Sequence, residues 1–574
     1  MDTLFFPHKT TQVSRAAHLV CSFAQFWFAK IEQRLPPDIV HGVPYCMDEY
    51  DRLFSSARIP LSGCDRWHER GDISKHIVIL RGSHLYKVNV ITLDGVICVD
   101  ILEDILKRVI LSSLSPTSAA AMTTNNLRLG DFTTAERDVW CHARSHLVQS
   151  SARTRSSLDD IDNAMFVLSL DLEPAFDDDD FVAVSLHGGH RSGTQEHRWY
   201  DKTNFIVDEN GRASGNFEHS LYDGAAIRRL CDETWYMSNG IPTGREQWSY
   251  RWSTKTSREW FSTFSPLLFD PLNEKEKEIL KKISNEHVQN QKNVHIVQGT
   301  FDDFGKDILK QEFSGASPDG ILQILFKLTY AKVHGWNGKG NGGVYVYESC
   351  QTKRFLCGRT EVIRTATLAS NQFVDYMMEH EMLNTSIDVN VARNLFRNAA
   401  EKHVEIAKLA SNGQGVDRHL FSLFRLAGME DGGGGGGKQL PSIFMDPAWS
   451  LSNTSVLSTS NLSSESFHGM GYGPVVQHGY GLAYGICRDA LYFGISNFVT
   501  HEVEGVEGMG GEGGEGGEGG EGGEGEREKQ SGGFGGVLLE SMNDISKVPT
   551  NAEIFKNELF QTLRQMRKIM SSAD

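Results

Sequence analysis

The stretch from Arg198 to Gly224, RWYDKTNFIVDENGRASGNFEHSLYDG, decides how the first half of this chain folds. Two β-rich runs flank Asp208-Glu209-Asn210-Gly211, and Asn-Gly between such runs predicts a β-hairpin. His219 then falls near the end of the second strand. Gly224 permits a sharp turn into AAIRRLCDETW, which is predicted as a helix. His219 and Asp223 are four residues apart, and two readings stay open. A strand-end imidazole oriented by a carboxylate is what a general base needs; equally, a hydrogen-bonded histidine can simply end a strand, with Asp223 as a turn residue.

Upstream, FTTAERDVWCHARSHL from Phe132 reads as a helix with Thr134 and Glu136 near its start. AMFVLSLD reads as a strand, followed by an acidic loop holding Asp177 to Asp180. His187, His190 and His197 crowd a Gly-rich segment, but they lack the carboxylates or helical spacing that would fix a metal geometry, and no metal is expected there.

The 574 residues, 39% hydrophobic, suffice for two domains. The boundary is expected within FSPLLFDPLNEKEKEILKKI, where proline gives way to dense charge, which divides the chain into 1–265 and 266–574. Low-complexity inserts at 431–438 and 505–536 oppose a packed core and are expected to be solvent loops. Much of the net charge of -17 lies in the second insert, as glutamates between glycines. The rest is only mildly acidic, which excludes a broad nucleic-acid surface. Nine cysteines without a C-x-x-C pair argue against disulfides and structural zinc and for a reducing compartment. The longest apolar stretch, LVCSFAQFWFA, is far short of the roughly 20 residues that cross a bilayer. The opening MDTLFFPHKTTQVSR resembles neither a secretory signal nor a transit peptide, and the last three residues are not a peroxisomal address.

Beyond the residue-level readings, RWYDK followed by a hairpin and EHSLYDG resembles the catalytic segment of the choline/carnitine acyltransferase family, with His197 in place of the usual asparagine. Further blocks follow in the family's order: PYCMDEYDRLFSSARIP, FGKDILK, YESCQTKRFLCGRTEVIR, GVDRHLFSL, IFMDPAW, LSTSNLSS and YGPVVQHGYGLAY. The resemblance implies an α/β fold of two chloramphenicol-acetyltransferase-like domains, each a mixed β-sheet with flanking helices. The first is N-terminally incomplete relative to the family, which usually carries a longer Pro-rich beginning. It also implies a tunnel at the domain interface, with His219 reached by CoA from one side and carnitine from the other.

Lys306 and Lys310, four apart, present two ammonium groups on one helical face, a surface pair or a phosphate clamp. The resemblance assigns them to the 3′-phosphate of CoA. Ser317 and Pro318 read as N-cap and first residue of the next helix; the resemblance places Asp319 near the CoA adenine, beside a Gly320 that replaces the usual alanine. Recognition of a carboxylate calls for an arginine and hydroxyls, and the resemblance supplies Arg418, Tyr347 and Thr360 for the carnitine carboxylate, a set absent from choline-specific members. Val362 stands where many members have a second threonine. In Ser458-Thr459-Ser460, the implied roles are carnitine contact for Ser458 and hydrogen-bond donation to the oxyanion for Ser460.

The implied mechanism is direct acyl transfer with His219 as base. Acyl-CoA and L-carnitine are substrates, no cofactor is bound permanently, and Cys350 and Cys357 are packing residues rather than nucleophiles. Met470 occupies an acyl-tunnel position where long-chain members tend to have glycine, whereas HSLYDG and HIVILRGSHLYKVNVITLDG look closer to long-chain mitochondrial members. Chain length is therefore open. The resemblance further implies a mitochondrial, monomeric protein with no membrane span, compatible with peripheral membrane association. The alternatives are an inactive remnant of the fold or a choline-type acyltransferase.

Overall fold

A computed structural model of the chain describes residues 2–5, 11–40, 42–69, 74–114, 128–188, 196–239, 250–262, 264–313, 315–336, 344–429, 440–499 and 551–571. Both low-complexity inserts and His190 lie outside these residues. The described chain is α/β, with two large mixed sheets, each flanked by helices.

The first sheet has eight strands, in the order Phe264–Pro266, His84–Asn89, His76–Arg81, Val167–Leu170, Asn204–Val207, Ala213–Asn216, Asp2–Phe5 and Phe467–Gly471. Val167–Leu170 runs parallel to both of its neighbours, and the other pairings are antiparallel. Helices Gln12–Ile31, Val99–Leu114 and Gly224–Ser238 cover one face, where Phe23, Phe166 and Phe205 form an aromatic centre. Central strands buried on both faces read as continuous apolar runs, which is how HIVIL and VLSL are written.

The second sheet has six strands, in the order Val294–Phe301, Leu491–Phe498, Tyr480–Ile486, Leu457–Asn461, Val346–Gln351 and Thr360–Ile363. Its core packs against helices Pro318–His334, Leu368–Met382, Val389–Ser411 and Ala552–Ser571.

The strand Phe467–Gly471 belongs by sequence to the second half and by hydrogen bonding to the first sheet. It also lies across the second sheet, so closely that a Cβ on Gly494 would meet the Met470 carbonyl oxygen. Glycine is required there because a backbone crosses it. Alternation of side chains does not reveal which sheet a strand joins, and the sequence offered no sign of this crossing.

The Asn-Gly hairpin forms as expected. Asn204–Val207 pairs with Ala213–Asn216, Gly211 takes φ +80°, and Asp208 accepts the Arg212 N–H at 2.8 Å. Three other expectations are corrected. Asp177 to Asp180 are not a loop: Asp177 caps helix Asp178–His187 and accepts the Asp180 N–H at 2.9 Å, so the acids fill a first turn where the helix dipole favours negative charge. The helix expected from Phe132 starts at Arg137 with Glu136 as its cap, and Thr133 and Thr134 sit in a preceding 3₁₀ turn. Gly224 makes no left-handed turn; it is the first helical residue, and extended Asp223 is the N-cap.

Candidate active site

His219 lies beyond the hairpin, in the link between Asn216 and the helix that opens at Gly224. Its Nδ1 is 3.7 Å from Asp223 Oδ1. A carboxylate on that side favours the proton on Nδ1, which leaves Nε2 as the basic nitrogen. The side chain remains 46% exposed while Asp223 is largely buried. Removal of water from around the ring holds the imidazole below its ordinary value, so it is neutral at physiological pH.

Arg359, which the sequence reading passed over, clamps this link. It bonds Asp223 Oδ1 at 2.7 Å, donates to the His219 carbonyl at 3.2 Å and also to the carbonyl of Ser220. Arg359 immediately precedes the edge strand Thr360–Ile363 of the second sheet. One guanidinium therefore joins the His219 link of the first half to the second sheet. A cation beside Thr360 in CGRTEV was the available signal; its partner, 136 residues away, was not.

The three residues proposed for a carboxylate do come together. Arg418 Nη2 donates to Tyr347 Oη at 3.0 Å and lies 3.2 Å from Thr360 Oγ1. Tyr347 comes from strand Val346–Gln351, Thr360 from its antiparallel neighbour, and Arg418 from the first turn of helix Asp417–Met429. The neighbouring arginine, Arg364, is paired with Asp417. Arg418 makes no ion pair among the described residues and has two hydroxyls beside it, a donor set that fits a carboxylate.

Ser458 stands opposite Tyr347 in the parallel register of the second sheet. Alternation along Leu457–Asn461 puts Ser458 and Ser460 on one face and Thr459 on the other. Thr459 donates to the Tyr347 carbonyl at 2.9 Å and accepts from Gln323 at 2.9 Å, which locks the strand from behind. Ser460 makes no direct hydrogen bond to His219.

Lys306 and Lys310 fall on the short helix Lys306–Glu312, both exposed and neither in an ion pair among the described residues. Pro318 opens the next helix as expected, with Ser317 at the N-cap position, although its hydroxyl makes no capping bond. Asp319 turns inward and accepts from Tyr484 Oη at 2.7 Å and Asn461 Nδ2 at 2.8 Å. Beside Gly315 to Ser317, a cavity of about 550 Å³ opens against helix Val389–Ser411, with Arg397 and Lys408 on its wall.

Asp319, Glu348 and His403 converge within 4.8 Å. His403 Nε2 and Glu348 Oε2 share a hydrogen bond at 2.8 Å, and Asp319 accepts from Tyr484 and Asn461, so the three side chains are joined to protein partners. A Cβ on residue 320 would meet His403 Nδ1 at 2.9 Å, which explains glycine in place of alanine. His197 is likewise structural: it is buried and accepts the Gly130 N–H at 2.9 Å, and burial pushes it down to about 4.

Met470 is 4% exposed, and the cavity it lines with Phe467, Ala483 and Phe493 holds only about 10 Å³.

Comparison with known proteins identifies the family of the chain. The family model for choline/carnitine O-acyltransferases matches residues 2–510, and the chain belongs to that family. It is similar to mitochondrial carnitine O-palmitoyltransferase 2 of Rattus norvegicus, at 31% identity over 82% of this chain and 67% of the relative. The Macaca fascicularis protein of the same name is 30% identical over 80% of this chain, which spans 64% of that relative's length. A putative mitochondrial carnitine O-acetyltransferase of Saccharomyces cerevisiae is 30% identical over 84% of the chain and 72% of the relative.

Proposed function

We propose that this protein transfers acyl groups reversibly between CoA and the hydroxyl of L-carnitine. The observation that carries the reading is Arg418 with the Tyr347 and Thr360 hydroxyls at 3.0 and 3.2 Å, on the same sheet edge from which Arg359 holds the His219–Asp223 pair.

In this reading His219 Nε2 removes the proton of the carnitine hydroxyl, and the oxygen attacks the thioester carbonyl. Ser460 donates to the oxyanion. When the tetrahedral intermediate collapses, the C–S bond breaks and His219 returns its proton to the CoA thiolate. The reverse reaction uses the same groups, no acyl-enzyme forms, and no permanent cofactor is required. Ser458 lies against the carnitine. Lys306 and Lys310 hold the 3′-phosphate, and Asp319 borders the nucleotide end of CoA, where the adjacent cavity is within the size range of small-ligand pockets.

The acyl chain is short in this proposal, because Met470 closes the space a long tail needs. The names of the relatives point to mitochondria, and we assign the same compartment here. No helix among the described residues is long and apolar enough to cross a membrane; the protein acts as a monomer, with any membrane association peripheral.

The test is CoA release from acetyl-, octanoyl- and palmitoyl-CoA with L-carnitine or choline as acceptor. Turnover with carnitine and acetyl-CoA supports the reading. Turnover with choline alone assigns the choline-type activity, and no turnover from folded protein assigns an inactive remnant.

Arg418→Ala removes the charge that meets the carboxylate. Charge-assisted hydrogen bonds contribute about 1.5–3 kcal/mol, so KM for carnitine is expected to rise about 10- to 150-fold with KM for acetyl-CoA little changed. An equal loss for both substrates would refute the assignment. Met470→Gly opens the cavity, and octanoyl- and palmitoyl-CoA are expected to gain on acetyl-CoA by at least about tenfold in kcat/KM, at a stability cost of about 2–5 kcal/mol from the lost buried side chain. An unchanged ratio would place the acyl path elsewhere.

A further inference from the structure

Glu49 lies on the 3₁₀ turn Asp48–Asp51 and is 3% exposed. Its carboxyl faces both the side chain and the backbone of Asp223, yet neither of its oxygens has a protein donor in hydrogen-bonding geometry. A buried carboxylate without a donor is costly, and neutralisation is the usual relief.

The charges around it show why Glu49 is the group to be neutralised. From helix Gly224–Ser238 and its cap come Asp223, Arg229 and Glu233; from the turn before Thr360 come Lys353 and Arg359; Asp38 completes the set. Asp38 holds Lys353 at 3.0 Å and Arg229 at 2.7 Å, Glu233 holds Arg229 at 2.7 Å, and Asp223 holds Arg359 at 2.7 Å. On Glu49's own turn, Asp48 pairs with Arg52 at 2.8 Å. Tyr50 donates to Asp38 at 2.7 Å. Each of these carboxylates is ion-paired, whereas Glu49 makes no ion pair among the described residues; Lys353 and Arg359 act on it only from a distance, since each is held by another carboxylate.

We propose that Glu49 is a positioning residue of the catalytic site: as a neutral carboxylic acid it donates a hydrogen bond to the Asp223 carboxylate and so holds the group that orients His219. The inference rests on the reading of His219 as the base. Burial and the neighbouring Asp223 raise Glu49 to about 7. Above that pH its proton leaves, the bond to Asp223 is lost and a second negative charge is left beside it. Turnover therefore falls on the alkaline side through Glu49, as it falls on the acid side through His219.

Two measurements test this. The first needs no turnover: infrared difference spectra of wild type against Glu49→Gln should show a protonated carboxyl carbonyl band near neutral pH that fades as pH rises. Absence of that band refutes the proposal even if the protein has no activity. The second uses carnitine acetyltransfer. Glu49→Gln keeps a donor without a titrating proton, so it should stay within about fivefold of wild-type kcat at neutral pH and lose the alkaline decline. Glu49→Ala should lower kcat by about 10- to 100-fold with KM for both substrates nearly unchanged. If the alkaline decline persists in Glu49→Gln, or the glutamine variant is as slow as the alanine variant, Glu49 does not hold Asp223 in this way. A wild type without activity but with the infrared band would leave Glu49's protonation established and overturn the catalytic reading instead.

Discussion

His219→Ala is expected to lower kcat for carnitine acetyltransfer by about 10²- to 10⁴-fold, the range that a positioned general base contributes. KM for either substrate should change little, because the groups assigned to binding lie on other elements. The substitution should also leave the link folded: Arg359 holds the residue 219 backbone carbonyl at 3.2 Å and Asp223 at 2.7 Å, and neither contact uses the imidazole. The pH profile offers a separate check. Only the neutral ring can accept the carnitine proton, and burial lowers the pH at which the ring charges. The acid limb should therefore lie low, with activity falling only as pH drops through a value under the ordinary histidine pKa of about 6.5. Loss of that limb together with the rate in His219→Ala identifies the base. A variant that keeps near wild-type turnover would leave His219 as a histidine that merely ends a β-hairpin.

Ser460→Ala should cost about 10²- to 10³-fold in kcat, or roughly 3 kcal/mol of transition-state stabilisation, the loss typical of one oxyanion donor. The strand is held from behind by Thr459 through the Tyr347 carbonyl and Gln323, so its geometry should survive removal of the Ser460 hydroxyl. The contrast with Ser458→Ala makes the test specific. Ser458 stands opposite Tyr347 in the carnitine set, and its loss should appear mainly in KM for carnitine. If the two variants behave alike, the serines share a binding role and the oxyanion is stabilised by other groups.

The parts of the site readable in the sequence are those that chemistry places close together along the chain. His219 and Asp223 are four residues apart in the chain, Lys306 and Lys310 share a helical face, and Ser458 and Ser460 share a strand face. Arg418, Tyr347 and Thr360 were assembled by resemblance to a family, and the structure brings their side chains within hydrogen-bonding distance. Arg359 and Glu49 escaped notice because their meaning depends on partners far away. Arg359 meets Asp223 across 136 residues, and Glu49 is unusual only because folding buries it without a donor.

Local pattern by itself determined the hairpin, the apolar central strands and the Ser-Pro entry into helix Pro318–His334. These depend on turn chemistry, alternation and composition, which act over a few residues. It misjudged Asp177 to Asp180, since four acids read as a loop until a cap and a helix dipole give them a use. Tertiary structure alone decided that Phe467–Gly471 joins the first sheet, that Gly494 has room only for hydrogen, and that the His219 link is clamped from the second sheet. Strand exchange, close backbone approach and charge balance in a buried cluster are properties of segments meeting in space, and the order of residues along one segment carries no record of them.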